Sequence, residues 1–170
     1  MAHVVNNSGN NEWYTPDIYI QSVKNVFDGV IDLDPASCDL ANKTINAVKF
    51  YTIYNSGLEK AWMGNVFLNP PYSKNSIKDF SNKVIEQVTL DNINQLIVLT
   101  NNATETGWWQ SMAELSSSIC LVKGRIKFND FNGNKANSPL QGQSFMYFGN
   151  NSAVFDLEFK KFGVILNVQQ

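Results

Sequence analysis

An α/β fold with a mostly parallel sheet and an antiparallel edge is the class this sequence predicts, and three observations carry it. Strand-like and helix-like segments alternate through the middle of the chain. Two continuous apolar runs, within "NVFLN" (65–69) and "QLIVLT" (95–100), have the character of strands covered on both faces of a parallel sheet. The chain then closes on strand-rich sequence, which suits antiparallel pairing at an edge.

The elements follow in order. Residues 1–12 are polar and Asn-rich (NNSGNNE) and predict a flexible lead-in, leaving 13–170 as one domain. In "WYTPDIYIQSVKNVF", Thr15 suits a helix cap, Pro16 the first helical position and Asp17 the positive helix end. Tyr19, Val23, Val26 and Phe27 recur at helical spacing, predicting a helix over about 16–28 closed by Gly29. "VIDLD" (30–34) reads as a short strand stopped by Pro35. Residues 36–62 mix Asn, Lys and Thr with apolar positions and predict an irregular excursion with one short strand or helix around 45–54. Beyond the strand at 65–69, Ile77, Phe80, Val84, Ile85 and Val88 mark an amphipathic helix over 74–90. After "QLIVLT", "ETGWWQSMAELS" reads as helix, "SICLVKG" as strand, and "GRIKFND" as a strand or its continuation. A polar, Gly- and Asn-rich loop (129–143) leads to "SFMYFGN", a short helix in "SAVFDLEFKKF" and a terminal strand in "GVILNV". There are no repeats, and no linker divides the 170 residues into domains.

Composition excludes several kinds of chemistry. With 44% hydrophobic and 16% charged residues the chain is globular. Its net charge of −2 provides no global field for a polyanion, so nucleic acid would have to be held by a local patch. Cys38 and Cys120 lie far apart with no CxxC, so no metal site and no disulfide framework is expected. His3 is the single histidine, which leaves almost no candidate for a Ser-His or Cys-His pair. No apolar run approaches the ~20 residues of a membrane span, and a cytoplasmic protein without membrane partners, monomeric or weakly dimeric, is expected.

The stretch "VFLNPPYSK" (66–74) carries the chemistry. In open α/β sheets ligands sit beyond the carboxyl ends of strands, which is where Asn69 falls. Pro70 and Pro71 fix two φ angles and remove two N–H donors, leaving carbonyl oxygens as acceptors. An amide oxygen and a main-chain carbonyl can then converge on a group bearing two N–H bonds, beside the flat face of Tyr72. An exocyclic nucleobase amine fits, since two acceptors would draw its nitrogen toward tetrahedral geometry and stabilise the charge that develops as it attacks a methyl group. By itself the tetrapeptide is equally compatible with a stiff strand-to-helix turn.

Its neighbours decide between the two. "EWYTP", "DLDPAS…N" (32–42), "GL…W" (57–62), "FLNPPYS" (67–73) and "GRIKF" followed by "SP" occur in an order that resembles the phage-type DNA adenine methyltransferases, from Glu12 to about Phe148. The resemblance implies a Rossmann-like class I methyltransferase fold, S-adenosylmethionine as cofactor, and double-stranded DNA as partner. It further implies that Asn69 and the Pro70 carbonyl, followed by Pro71, bind the target amine, with Tyr72 stacked on a flipped base. Asp34, followed by Pro35, would contact the methionine part of the cofactor, and Trp13, Tyr14, Thr15 and Pro16 would close over the same end. Asp34, at a strand end, is independently well placed for a cationic ammonium, and Asp32 alternates with it on the same side of the strand. Asn42 matches a family asparagine or serves a turn. A G-x-G turn is absent after Asp34, where the chain reads PASCDLANK, so the cofactor must be held by another backbone path.

For the nucleic acid, Lys74 and Lys78 flank the elbow, and Lys123, Arg125 and Lys127 share one face if "KGRIKF" is extended, with Lys160 and Lys161 a further pair. Arg125 is the single arginine. No sizeable extra segment is available to recognise a target sequence. Alternatives are another amine or amide acceptor, in cytosine, RNA or protein glutamine, and a homologue that binds nucleic acid without turnover.

Overall fold

The computed structural model describes residues 14–90, 92–129 and 141–168, with every side chain among them except that of Lys74. The expectations for 1–12, for Trp13 and for most of the 129–143 loop lie outside the described residues.

Helix α1 (Asp17–Val26) buries Ile20, Val23 and Val26 along one stripe. It begins one residue later than expected: Pro16, not Thr15, is the capping residue, and no side chain caps the helix. Thr15 is turned inward and only 3% exposed, because its hydroxyl is engaged at the sheet edge described below. The helix also stops short of 28, since Asp28 and Gly29 both take positive φ, and the Gly29 N–H returns to the Lys24 carbonyl.

Strand β1 (Leu33–Asp34) follows. The region 36–62, expected to hold one short element, holds three: helix α2 (Asp39–Ile45), strand β2 (Lys49–Phe50) and a 3₁₀ turn (Gly57–Glu59). Each is too short to imprint a period on the sequence. Asn42 ends α2 by accepting from the Ala47 N–H at 2.8 Å and donating to the Ala47 carbonyl at 3.3 Å. Its role is therefore the turn. Strand β3 (Gly64–Leu68), helix α3 (Lys74–Thr89), strand β4 (Ile93–Asn101), helix α4 (Gly107–Leu115), strand β5 (Ser118–Val122), strand β6 (Gln143–Phe148), helix α5 (Ser152–Phe159) and strand β7 (Gly163–Asn167) all fall where their patterns predict. "GRIKFND" is the exception and forms no strand of the sheet. Its backbone meets a side chain, Gln143, and a single bridge between Asn129 and Tyr14, rather than a ladder.

The seven strands form one sheet in the order β2-β1-β3-β4-β6-β5-β7. Pairs among β2, β1, β3 and β4 are parallel, and those from β4 through β6 and β5 to β7 are antiparallel. This is the α/β architecture of a Rossmann-like methyltransferase, with its antiparallel edge. The apolar runs are explained by burial on both faces. Phe67, Ile97 and Leu99 point to the side covered by α1 and α5, whereas Val66, Leu68, Leu96 and Val98 point to the side covered by α3 and α4. On the first side Phe145, Phe155 and Phe159 stack or tilt against one another at centroid separations of 4.4–4.9 Å. After β1 the chain goes to β2 on one side and then to β3 on the other. The reversal opens a crevice at the carboxyl ends of β1 and β3.

Candidate active site

The crevice is a cavity of about 390 Å³ whose wall includes Tyr14, Thr15, Asp34, Pro35, Asn69, Pro70, Pro71 and Tyr72. The structure thus brings together, from three separate segments, nearly all the residues singled out at the elbow and in the cofactor landmark. Its size is that of a site for a small organic ligand. Sequence reasoning missed Ser37, Cys38, Thr52, Ser56, Ser76 and Phe80, which also line the wall. Ser76 and Phe80 stand one and two turns into α3, and position after the NPPYS elbow could have found them. Thr52 and Ser56 carry no such signal.

Asn69 leaves the end of β3 with its carboxamide held on both sides. Its Nδ2 donates to Thr15 Oγ1 at 3.2 Å, and its Oδ1 accepts from the Tyr72 hydroxyl at 2.7 Å. The same hydroxyl reaches the Leu99 carbonyl of β4 at 3.2 Å. Burial pushes the Tyr72 phenol far above its ordinary range, so it remains protonated and a donor. In this arrangement the amide oxygen lies toward Tyr72 and the nitrogen toward Thr15. Pro70 is buried, and among the described residues its carbonyl accepts no hydrogen bond.

Asp32 and Asp34, which alternate on β1, have different tasks. Asp32 accepts from the Asn65 N–H at 2.7 Å and so clamps β3 to β1. Asp34 is 1% exposed at the cavity wall and has no ion-pair partner among the described residues. Loss of solvent pushes its carboxyl from 3.8 up to about 7, against the opposing pull of the Ala36 N–H at 3.1 Å. The Ser37 hydroxyl lies close enough to favour the ionised carboxyl, yet it is buried without a partner in hydrogen-bonding geometry. A desolvated acid lacking a cation, beside an unpartnered hydroxyl, suits a ligand that brings a positive charge and polar groups. S-adenosylmethionine, with its ammonium group, fits this donor set.

Close backbone packing lies beneath the Asp34–Pro35 loop. Gly57 sits against Pro35, where an added Cβ would collide with the Pro35 carbonyl and come within 2.8 Å of its Cβ. The Gly57 carbonyl accepts from the fully buried Trp62 indole at 2.9 Å. The "GL…W" landmark is thus a brace under the Asp34–Pro35 loop. Gly57→Ala is expected to cost about 1–3 kcal/mol of stability through overpacking, measurable by urea denaturation, and to weaken ligand binding in the same cavity.

The cationic residues divide. Lys78 is exposed on α3 and is not part of the cavity wall. Lys74 starts that helix, but its side chain lies outside the described residues. Lys123, Arg125 and Lys127 are all exposed, whereas Ile126 and Phe128 between them are fully buried. The segment leaves the end of β5, is tied at the Ile126 N–H to Gln143 Oε1 of β6 (3.0 Å), and reaches Tyr14 through Asn129. It therefore runs as a strap along the same edge of the sheet that carries Asn69, with three cations turned outward. At the far end of that strap Lys161 pairs with Glu158.

Cys38 caps α2, its sulfur accepting from the Ala41 N–H, and Cys120 is buried. Burial pushes the Cys120 thiol up to about 12. Among the described residues no three His, Cys, Asp or Glu side chains come together as a metal-binding group, and no helix is long and apolar enough to cross a membrane.

A family profile described as DNA N-6-adenine-methyltransferase (Dam) matches residues 3–159, most of the chain and all of the cavity wall. A search among curated proteins gave no match.

Proposed function

The chain belongs to the DNA N-6-adenine-methyltransferase (Dam) family and is a DNA adenine methyltransferase; on that premise we propose that the cavity holds S-adenosylmethionine and that the Asn69–Tyr72 elbow receives an adenine flipped out of duplex DNA. The observation that carries this reading is the shared cavity. A carboxamide fixed on both sides, an unengaged proline carbonyl and an aromatic ring meet there with a buried acid that has no cation.

A base within the duplex cannot reach such an elbow and has to be rotated out of the stack. Tyr72 supplies a stacking face, worth about 1–3 kcal/mol for a base. Asn69 Oδ1 retains capacity for a second donor beyond the Tyr72 hydroxyl, because an amide oxygen has two lone pairs. With the Pro70 carbonyl it accepts the two hydrogens of the adenine amine and draws the nitrogen lone pair out of conjugation. As positive charge grows on that nitrogen both acceptors bind it more strongly, which is transition-state stabilisation without a base or a metal. When bound, S-adenosylmethionine supplies an electrophilic methyl group on a sulfonium centre. Asp34 would hold the ammonium of its methionine portion, with Tyr14, Thr15 and Pro35 lining the same cavity, whereas Pro16, which caps α1, is not part of that wall. The proton released from the methylated amine goes to water.

The strap is the element suited to the phosphates. Its cations begin about three strand spacings, roughly 14 Å, from the end of β3, which is within the width of a duplex seated on that edge. Arg125 and Lys127 neutralise phosphates there, Lys74 and Lys78 acting from the α3 side.

The test is the chemical identity of the acceptor. Purified protein with methyl-labelled cofactor should transfer label to mixed-sequence duplex DNA, recovered after digestion as N6-methyl-2′-deoxyadenosine. Label recovered in cytosine, or transferred to RNA or protein glutamine while duplex DNA stays unlabelled, overturns the reading.

A further inference from the structure

We infer that Thr15 is a positioning residue for the methyl transfer: it sets the orientation of the Asn69 carboxamide, and it links that group to the cationic strap. The inference rests on the proposed role of Asn69 as the amine-gripping group.

A carboxamide can occupy its site in two orientations that differ by exchange of oxygen and nitrogen, which are nearly equal in shape. Only the orientation with oxygen toward the amine can accept its hydrogens. In the reverse orientation an NH₂ group would face the substrate amine, donor against donor, although the Tyr72 hydroxyl could still accept from it while donating to the Leu99 carbonyl. Thr15 Oγ1 accepts from Asn69 Nδ2 and the Tyr72 hydroxyl donates to Asn69 Oδ1, so the two hydroxyls together hold the carboxamide in the productive orientation. The contact spans 54 positions of sequence between one side chain that is 3% exposed and one at the rim of the cavity.

Thr15 is itself held by its neighbour. Tyr14 and Asn129 exchange two backbone hydrogen bonds, Tyr14 N–H to Asn129 O at 3.2 Å and Asn129 N–H to Tyr14 O at 3.0 Å. Asn129 ends the strap whose outward side carries Lys123, Arg125 and Lys127. A load placed on the strap by phosphates therefore meets Thr15 one residue past the bridge. This also accounts for the departure at the helix start: a hydroxyl bonded to Asn69 is not the one that caps α1.

Valine is close to threonine in shape but has no acceptor, and serine keeps the acceptor. Thr15→Val is expected to lower kcat for DNA methylation roughly 10- to 100-fold, the scale of a small misplacement of a reacting group. The dissociation constant for S-adenosylmethionine should stay within about threefold, and Thr15→Ser should recover most of kcat. Circular dichroism and thermal melts identify a variant that has failed to fold, and Thr15→Ser then carries the comparison: a serine variant that folds yet shows a kcat as low as a cavity-wall deletion overturns the inference. So does a Thr15→Val variant with unchanged kcat, or one whose loss lies in cofactor affinity. If Asn69→Ala retains activity, the reading of Asn69 fails with it. If Asn69→Ala is inactive and Thr15→Val is not, the role of Thr15 alone is wrong.

Discussion

Asn69→Ala is expected to reduce methyl transfer to DNA by about 10²- to 10³-fold, while S-adenosylmethionine binding stays within about threefold of the native protein, because the lost acceptor acts on charge that exists only in the transition state. The structure explains why the effect should be selective. Asn69 is held by Thr15 and Tyr72 and belongs to the rim of the cavity at the end of β3, whereas the buried acid lies at the end of β1. Truncation leaves the Tyr72 hydroxyl its second partner, the Leu99 carbonyl, so the ring stays in place. Labelled-methyl transfer gives the activity and isothermal titration the cofactor affinity. Surviving transfer would mean that the amine is gripped elsewhere. Loss of both quantities together would mean that Asn69 supports the cavity rather than the chemistry.

The second large effect concerns Asp34 and acts on binding and stability with opposite signs. Its carboxyl, pushed to about 7 by loss of solvent, binds a proton in the ligand-free folded protein at pH values where the unfolded chain has released it. Folding stability without ligand should therefore fall as pH rises from about 4 to 7 and level off above, since the folded state holds more protons than the unfolded state throughout that window. Asp34→Asn should remove this slope and raise stability above pH 7. Cofactor affinity should behave in the reverse manner. An ammonium group favours the ionised carboxylate, so binding below pH 7 has to expel a proton and weakens by up to about tenfold per pH unit. Toward pH 8 an α-amino group begins to lose its own charge, which leaves an optimum between the two values. Replacing the carboxylate by an amide should weaken binding about 30-fold at pH 7.5, the worth of about 2 kcal/mol for a charged hydrogen bond, and flatten the profile below neutrality. Titration calorimetry at several pH values, with urea melts of the ligand-free protein, measures both signs. A flat affinity profile in the native protein would remove Asp34 from the ammonium.

The elements that were legible in the chain are those whose local pattern and tertiary surroundings agree. "QLIVLT" and "NVFLN" are apolar on successive residues because they are covered on both faces, and burial of that kind leaves its mark in any sequence. The stripe of α1 and that of α3 are equally plain, since each helix has one core-facing side. Residues 36–62 were illegible for the opposite reason. A two-residue strand, a seven-residue helix and a three-residue 3₁₀ turn have no room to repeat, and their places are set by distant partners such as Tyr51, whose carbonyl receives the Ser37 N–H, and Gly57 beneath Pro35. The "GRIKFND" segment misled through its alternation. Its inward residues are buried like those of a strand, but its backbone finds a side chain and one bridge in place of a neighbouring strand.

The same division runs through the site. Residue types and their order were enough to identify a strand-end Asn-Pro-Pro-Tyr elbow, an acid before a proline and a threonine before a helix, because acceptor chemistry and fixed φ angles are properties of the residues themselves. Of the two alternating acids, the strand-end position of Asp34 already favoured it in the sequence, and the folded chain gives the physical reason: Asp32 is consumed in clamping β3, whereas Asp34 is left desolvated without a cation among the described residues. The fate of Thr15 was settled there too. Its hydroxyl could cap its own helix or turn inward, and local sequence favours the cap. The choice went to Asn69, 54 residues away, because a part-buried carboxamide has to satisfy its N–H groups, and no rule of local spacing can supply a partner that only the assembled sheet edge brings near.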